Sequence, residues 1–380
     1  MTDLSAAPIY LDYNATTPVD PIVVEAMLPW LSEHFGNPSS GHIYGQRARK
    51  AVDLARGQVA ALLGSEPDEI AFTSGGTESN NIAIMGTLAQ SSGTVHLITS
   101  VVEHPATTKP CRLLERQGHK VTWLPVDGAG RLNPADLRAA LQTDTTLVSI
   151  MLANNETGTI LPVREISELT WAAGVTLHTD AAQAIGKIPV SVDELGVDLL
   201  SIAGHKLYAP KGIGALYVRS GTPVSSVLLG GGQERGISPG TENVPYIVGL
   251  GRACELAAAK LQLETQRLQS LRDEFLRLLQ AAVPGVRLNG HPTSRLPNTL
   301  NVSFPNTTGS RILAFAPAIA ASTGSACHEG AETPSQVLLE MGIDPAIALG
   351  AVRLSLGRYT TQTHVDQAAA FLATAYRNAT

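Results

Sequence analysis

Val175-Thr-Leu-His-Thr-Asp180 and Val197-Asp-Leu-Leu-Ser-Ile-Ala-Gly-His-Lys206 follow one pattern: a short apolar run that leads into a charged residue. Apolar runs of this length read as buried strands. Val95 to Thr99, Leu147 to Leu152 and Ala215 to Val218 repeat the pattern. Between several of them lie stretches with helical apolar spacing. One is Pro162 to Ala173, which opens with a proline where the first turn of a helix tolerates one. Strand and helix alternating in this way predict an α/β protein with a mostly parallel sheet covered by helices on both faces. In such sheets ligands bind beyond the carboxyl ends of the strands. Asp180 and Lys206 stand at two such ends, about one crossover apart.

Further along, Cys254 to Ala282 is a long amphipathic segment with few helix breakers. It reads as the link into a smaller C-terminal domain. That domain has strand signals at Thr299 to Phe304 and Val352 to Leu356, and a last helix near His364 to Tyr376. A chain of 380 residues exceeds what one core usually holds, so two domains are expected. A hydrophobic content of 44% and a charged content of 16% describe a globular protein. The net charge of -6 and the lack of Lys/Arg runs argue against a nucleic-acid or membrane-surface partner. No apolar run reaches membrane-spanning length, and Met1 to Pro8 does not read as a signal peptide. Cys111, Cys254 and Cys327 are widely spaced and odd in number. They fit a reducing cytoplasm, with neither a disulfide framework nor a thiolate metal site.

The chemistry begins with the two strand ends. A lysine amine can bond covalently to the aldehyde of pyridoxal phosphate. A carboxylate nearby can keep the pyridine nitrogen protonated, so that the ring accepts electrons. Apolar Leu199, Leu200 and Ile202 lead straight into Lys206. That setting lowers a lysine's pKa and makes it a usable nucleophile and base. Ser74-Gly-Gly-Thr-Glu-Ser-Asn-Asn81 offers close backbone approach and a helix start to a phosphate, although a plain Gly-rich turn reads the same way. His104 follows the Val95 to Thr99 strand and could stack on a ring, or could be a surface loop histidine. Asn154-Asn155-Glu156 is equally open between ligand binding and turn chemistry. Arg353, within a strand-like run, could clamp a carboxylate with two parallel hydrogen bonds, or form a surface ion pair. Cys327 lies in Ser322-Thr-Gly-Ser-Ala-Cys327, where small residues suit an accessible, reactive thiol.

In this order the motifs resemble the cysteine desulfurases and selenocysteine lyases, pyridoxal phosphate enzymes of the aminotransferase class V family. The likeness runs from Tyr10-Leu-Asp-Tyr-Asn-Ala-Thr-Thr-Pro18 to Arg353-Leu-Ser-Leu-Gly-Arg358. It includes Phe35 to Ser40, Ser74 to Asn81, Met151 to Gly158, Gly230 to Arg235 and Pro239 to Asn243. The resemblance implies fold type I: a large domain over residues 16–255 with a mostly parallel seven-stranded sheet, and a small α/β domain from residues 1–15 and 256–380 that carries the cysteine loop. It implies that Lys206 holds the cofactor and moves the Cα proton, that Asp180 pairs with the ring nitrogen, that Gln183 meets the ring hydroxyl and that His104 stacks. Gly76, Thr77 and His205 would hold the phosphate, with Thr241 reaching in from the second subunit of a homodimer. Asn155 and Arg353 would bind the substrate carboxylate. Cys327 would take sulfur from L-cysteine as a persulfide, leave L-alanine, and pass the sulfur to an acceptor protein or small thiol.

Three positions depart from the family pattern. Ala203 stands where many members carry a hydroxyl two residues before the His205 position, so one phosphate contact is expected to be missing. Ile237-Ser-Pro239 replaces a segment that usually carries arginine at the dimer boundary. The sequence ends at Thr380, soon after the last helix, so docking of an iron–sulfur scaffold through a C-terminal tail is not assumed. The competing readings are a selenocysteine lyase, with nearly the same site, and another pyridoxal enzyme of the same fold. Cys327 argues against the latter, because transamination and decarboxylation need no sulfur acceptor. A non-catalytic binding protein would be favoured only if Lys206, Asp180 or Cys327 were absent.

Overall fold

Every residue of His96–Ser100, Leu199–Ala203 and Ile70–Thr73 is buried, and Leu, Ile, Ala and Phe supply their apolar side chains. Such strands can be satisfied only inside a sheet covered on both faces. A computed structural model describes residues 7–90, 93–323 and 333–380 and shows that sheet. Its seven strands run in the order Ile70–Thr73, Gly214–Val218, Leu199–Ala203, Thr176–Asp180, Thr145–Ser149, His96–Ser100 and Lys120–Leu124. Gly214–Val218 is antiparallel to both of its neighbours and the other pairings are parallel. The fold is the expected α/β type, consistent with fold type I.

From His96–Ser100 the chain moves outward to the edge strand Lys120–Leu124 and then returns to Thr145–Ser149 on the other side. That reversal opens a crevice at the carboxyl ends of the strands. Ile70–Thr73 is followed by a helix, Gly76–Asn81, which continues through a π-helical turn at Ile82–Gly86. Gly75 precedes it at φ 150°, and a Cβ on Gly214 would stand 2.7 Å from the Gly75 Cα. Two glycines thus let the turn sit flat against the antiparallel strand.

The long helix starts earlier than the sequence suggested, at Val244 rather than Cys254, and runs to Ala282. Asn243 caps it through Tyr246 N at 3.3 Å, with Pro245 in its first turn. Gly249 and Gly251 lie in its first turns as contact points, since a Cβ on Gly251 would lie 2.7 Å from the Ala55 Cα of helix Ile43–Leu63. The first part of this helix, from Val244 to Ala257, buries side chains in the core of the large sheet. Leu268, Leu271, Phe275 and Leu279 bury in a second core.

That second core packs the helix Gln362–Ala379 and a three-stranded antiparallel sheet in the order Ala351–Ser355, Thr299–Ser303, Arg287–Asn289. Leu11 joins it, and Ile9–Tyr10 pairs in parallel with Ile319–Ala320. The two cores are not cut cleanly in sequence, because Val337, Leu338, Met341, Ala348 and Ala351 bury against the large one. No helix among the described residues is long and apolar enough to cross a membrane.

Candidate active site

The crevice is a cavity of about 460 Å³. Gly76, Thr77, His104, Asn155, Asp180, Gln183, His205, Lys206 and Arg353 all line it. The strands deliver them: Asp180 ends one, His205 and Lys206 follow the next, and His104 and Asn155 come from the loops on either side of the reversal. Arg353 arrives from the smaller sheet.

Lys206 sits half-buried with its Nζ donating to the Asn14 carbonyl and, at 2.7 Å, to the Ala15 carbonyl. Burial, and next the Arg353 guanidinium, pull its pKa from 10.5 down to about 8. A substantial fraction of the amine is therefore neutral and nucleophilic near neutral pH. Asp180 accepts hydrogen bonds from Asn80 Nδ2 at 2.8 Å and from Ala182 N at 2.9 Å. Both contacts hold the carboxylate in place.

His104 caps the helix Pro105–Arg116, its Nδ1 accepting from Ala106 N at 3.1 Å. An acceptor Nδ1 leaves the proton of the neutral ring on Nε2. The ring is open to the cavity yet enclosed by protein, which pulls its pKa below the ordinary 6.5; Asp180 opposes that shift and Lys206 reinforces it. His205 is pulled down to about 4, first by burial and then by Lys206 and Lys211. Both imidazoles are neutral at pH 7, and so is the buried His178 between Ser149 Oγ and Ser201 Oγ.

Arg353 is neither a surface residue nor a free clamp. It is 7% exposed, with Nη2 on Asp12 Oδ1 at 2.7 Å and Nη1 on the Asn155 carbonyl at 3.2 Å. Its Nε is buried without a hydrogen-bond partner. Asp12 thus fixes the guanidinium in the cavity wall.

The donor set fits pyridoxal phosphate. An amine of lowered pKa and a held carboxylate share one cavity, and the Gly76–Asn81 helix begins at its rim. Asn80 Oδ1 and Arg353 Nε are buried polar atoms lacking partners, as expected around a polar ligand. Ala203 also lines the cavity, and a Cβ on Gly76 would meet its Cβ at 3.2 Å, so it supplies close packing where a hydroxyl was expected in the family.

Two expected residues lie elsewhere. Thr241 is exposed on the loop after Gly230 and lines a neighbouring hollow with Ser74 and Glu78 rather than the main cavity of its own chain. Cys327 lies outside the described residues. Sequence reasoning also missed three residues. Asn80 orients Asp180, Asn14 supplies the carbonyl on which Lys206 rests, and Lys187 is buried beside Gln183. The first two stand inside motifs already quoted, Ser74 to Asn81 and Tyr10 to Pro18, which was the available signal.

The aminotransferase class-V family model matches residues 9–368. The chain is 49% identical over 361 residues to cysteine desulfurase IscS of Dictyoglomus turgidum, covering 94% of this chain and 92% of that one. It is 44% identical over 366 residues to a cysteine desulfurase of Mus musculus, covering 95% and 80%. Among solved structures, a NifS-like protein superposes with a TM-score of 0.90 at 38% identity, covering 98% of this chain and 99% of that one. SspA in complex with cysteine superposes with a TM-score of 0.82 at 37% identity, covering 93% and 99%.

Proposed function

The chain belongs to the aminotransferase class-V family, and we propose that within it the protein is a pyridoxal phosphate-dependent cysteine desulfurase. The observation that carries this reading is the meeting of Lys206, Asp180 and Arg353 in one cavity, in a chain whose Ser322–Cys327 segment supplies a thiol. The names of the relatives point the same way.

When bound, pyridoxal phosphate supplies a protonated ring that accepts electron density from the substrate Cα. Asp180, held by Asn80 and Ala182, keeps the ring nitrogen protonated. Gln183 would meet the ring oxygen, and His104, as a neutral imidazole, would hold the ring from the cavity wall. The amides opening the Gly76–Asn81 helix, with Thr77 and His205, hold the phosphate. Arg353, fixed in the cavity wall by Asp12, binds the substrate carboxylate beside Asn155. Lys206, with its lowered pKa, takes the Cα proton and later returns one. The Cys327 thiolate then attacks the substrate sulfur: the S–S bond forms as the Cβ–S bond breaks, and the bonding pair stays on the carbon side. Protonation of that carbon leaves L-alanine and a persulfide on Cys327. The sulfur passes on to an acceptor protein or a small thiol.

We also propose a homodimer in which Thr241 serves the neighbour's phosphate. Support comes from exposed apolar residues on that loop and at the junction of the first two helices: Leu229 is 100% exposed, Phe35 71% and Ile43 65%. The separate second core, with Leu11 in it, supports a small domain built from residues 1–15 and 256–380. Cys111 and Cys254 are free and buried, which supports a reducing cytoplasm.

The test is L-alanine release from L-cysteine and from L-selenocysteine, side by side, with a thiol reductant and added cofactor. Turnover of cysteine at a rate comparable to selenocysteine is the expected result. Turnover of selenocysteine with almost none of cysteine would replace this reading with a selenocysteine lyase.

A further inference from the structure

Lys187 follows the Thr176–Asp180 strand in the turn Gln183-Ala-Ile-Gly-Lys187, where a lysine usually faces water. Here it is 9% exposed. Its Nζ lies 2.7 Å from Gln183 Oε1 and 3.1 Å from Asn14 Oδ1, and among the described residues no carboxylate pairs with it. Burial, with Lys206 and Arg353 in the surroundings, holds its pKa well below the ordinary 10.5. A neutral amine has two N–H donors, which match the two acceptors it meets.

The consequence falls on Gln183. Its Nε2 donates to the Asn14 carbonyl at 3.0 Å, while its Oε1 takes the lysine. Turning the amide over would set its oxygen against the Asn14 carbonyl, which is repulsive, and would cost Lys187 the acceptor of one of its two N–H groups. Asn14 cannot adjust to relieve this. Its Oδ1 also accepts from Asn298 Nδ2 at 3.0 Å, and its Nδ2 donates to Thr299 Oγ1 at 2.8 Å. Gln183 lines the cavity with one N–H still unassigned.

We propose that Lys187 is a positioning residue: by holding the carbonyl oxygen of Gln183 it makes that amide present only N–H to the cavity, and so favours a cofactor whose ring oxygen is deprotonated. This rests on Gln183 meeting the ring oxygen, and it is independent of which amino acid the enzyme consumes.

The experiment compares the holoenzyme with Lys187→Met, Gln183→Met and the double variant. It reads the cofactor dissociation constant and the share of the long-wavelength visible band at fixed neutral pH. Lys187→Met should weaken cofactor binding by about tenfold, the net worth of one buried hydrogen bond, and reduce the long-wavelength share. Gln183→Met should do the same. The double variant should be no worse than Gln183→Met alone, because the lysine acts through the amide. Unchanged binding and spectrum in Lys187→Met, or losses that add in the double variant, would overturn the proposal. Should Lys187→Met not fold, the neutron crystal structure of the wild-type holoenzyme, which shows the amide deuterons, decides: Gln183 Oε1 on Lys187 and Nε2 on the cofactor oxygen supports the assignment, and the reverse orientation overturns it. A wild-type protein that never binds pyridoxal phosphate would refute the functional reading itself, whereas a protein that binds it without desulfurating cysteine would leave Lys187 to be judged by these readouts.

Discussion

Lys206 is the residue on which most depends, and its environment gives a pH signature. Only the neutral amine can attack the cofactor aldehyde, and burial sets its pKa at about 8 rather than 10.5. The rate at which the apoprotein captures pyridoxal phosphate should therefore rise about tenfold per pH unit below that value and level off above it. Stopped-flow absorbance measures this directly; a rate still climbing steeply through pH 9 would mean that the amine is not desolvated. Lys206, Asp180 and His104 were legible in the sequence because each stands at the end of an apolar run. Asn80, Asn14 and Lys187 were not. Asn80 acquires its meaning from Asp180, 100 residues away, and Lys187 from Asn14, 173 residues away. The Asp12 that holds Arg353 lies 341 residues from it, so the expected clamp could be read but not its anchor.

Among the elements, buried strands were found because short runs rich in Leu, Ile and Val stand between turn or helix signals. The edge strand Lys120–Leu124 went unread, since four of its five residues are exposed or half-buried and the sequence KVTWL carries little signal. The pairing of Ile9–Tyr10 with Ile319–Ala320 involves two residues from each end of the chain and has no local signature. The Gly230 to Asn243 loop shows how one element can hang on a single side chain. Glu234 accepts two hydrogen bonds from Arg56, at 2.6 and 2.7 Å, and one from Phe72 N at 2.8 Å. It does so at φ 47°, a left-handed conformation uncommon for glutamate. Glu234→Ala takes the carboxylate from the buried Arg56 guanidinium, which keeps only the Ile70 carbonyl, and leaves the edge-strand N–H of Phe72 without its partner. It should cost about 3 kcal/mol by denaturant unfolding. A loss under about 0.5 kcal/mol, the range of ordinary surface changes, would show that the pair does not anchor the loop.

At the scale of the whole molecule, two cores joined by the helix Val244–Ala282 bring Arg353 of one sheet over the strand ends of the other. That there are two such cores was legible from length and from that helix. The sharing of residues 337–351 with the large core was not, because which core a short apolar segment joins is a property of the folded chain. The proposed dimer makes a further demand: Leu229→Asp places a charge on the exposed apolar loop and should shift sedimentation toward monomer while weakening cofactor retention. A dimer that persists unchanged would place the subunit contact elsewhere.

The central claim is that this cavity delivers cysteine sulfur to Cys327, and peptide mass spectrometry after incubation with L-cysteine, without reductant, tests it most directly. The account predicts one added sulfur atom on the peptide containing Cys327, formed with L-alanine and absent from Lys206→Ala. L-alanine formed with no sulfur on Cys327, or with sulfur found instead on Cys111 or Cys254, would contradict it.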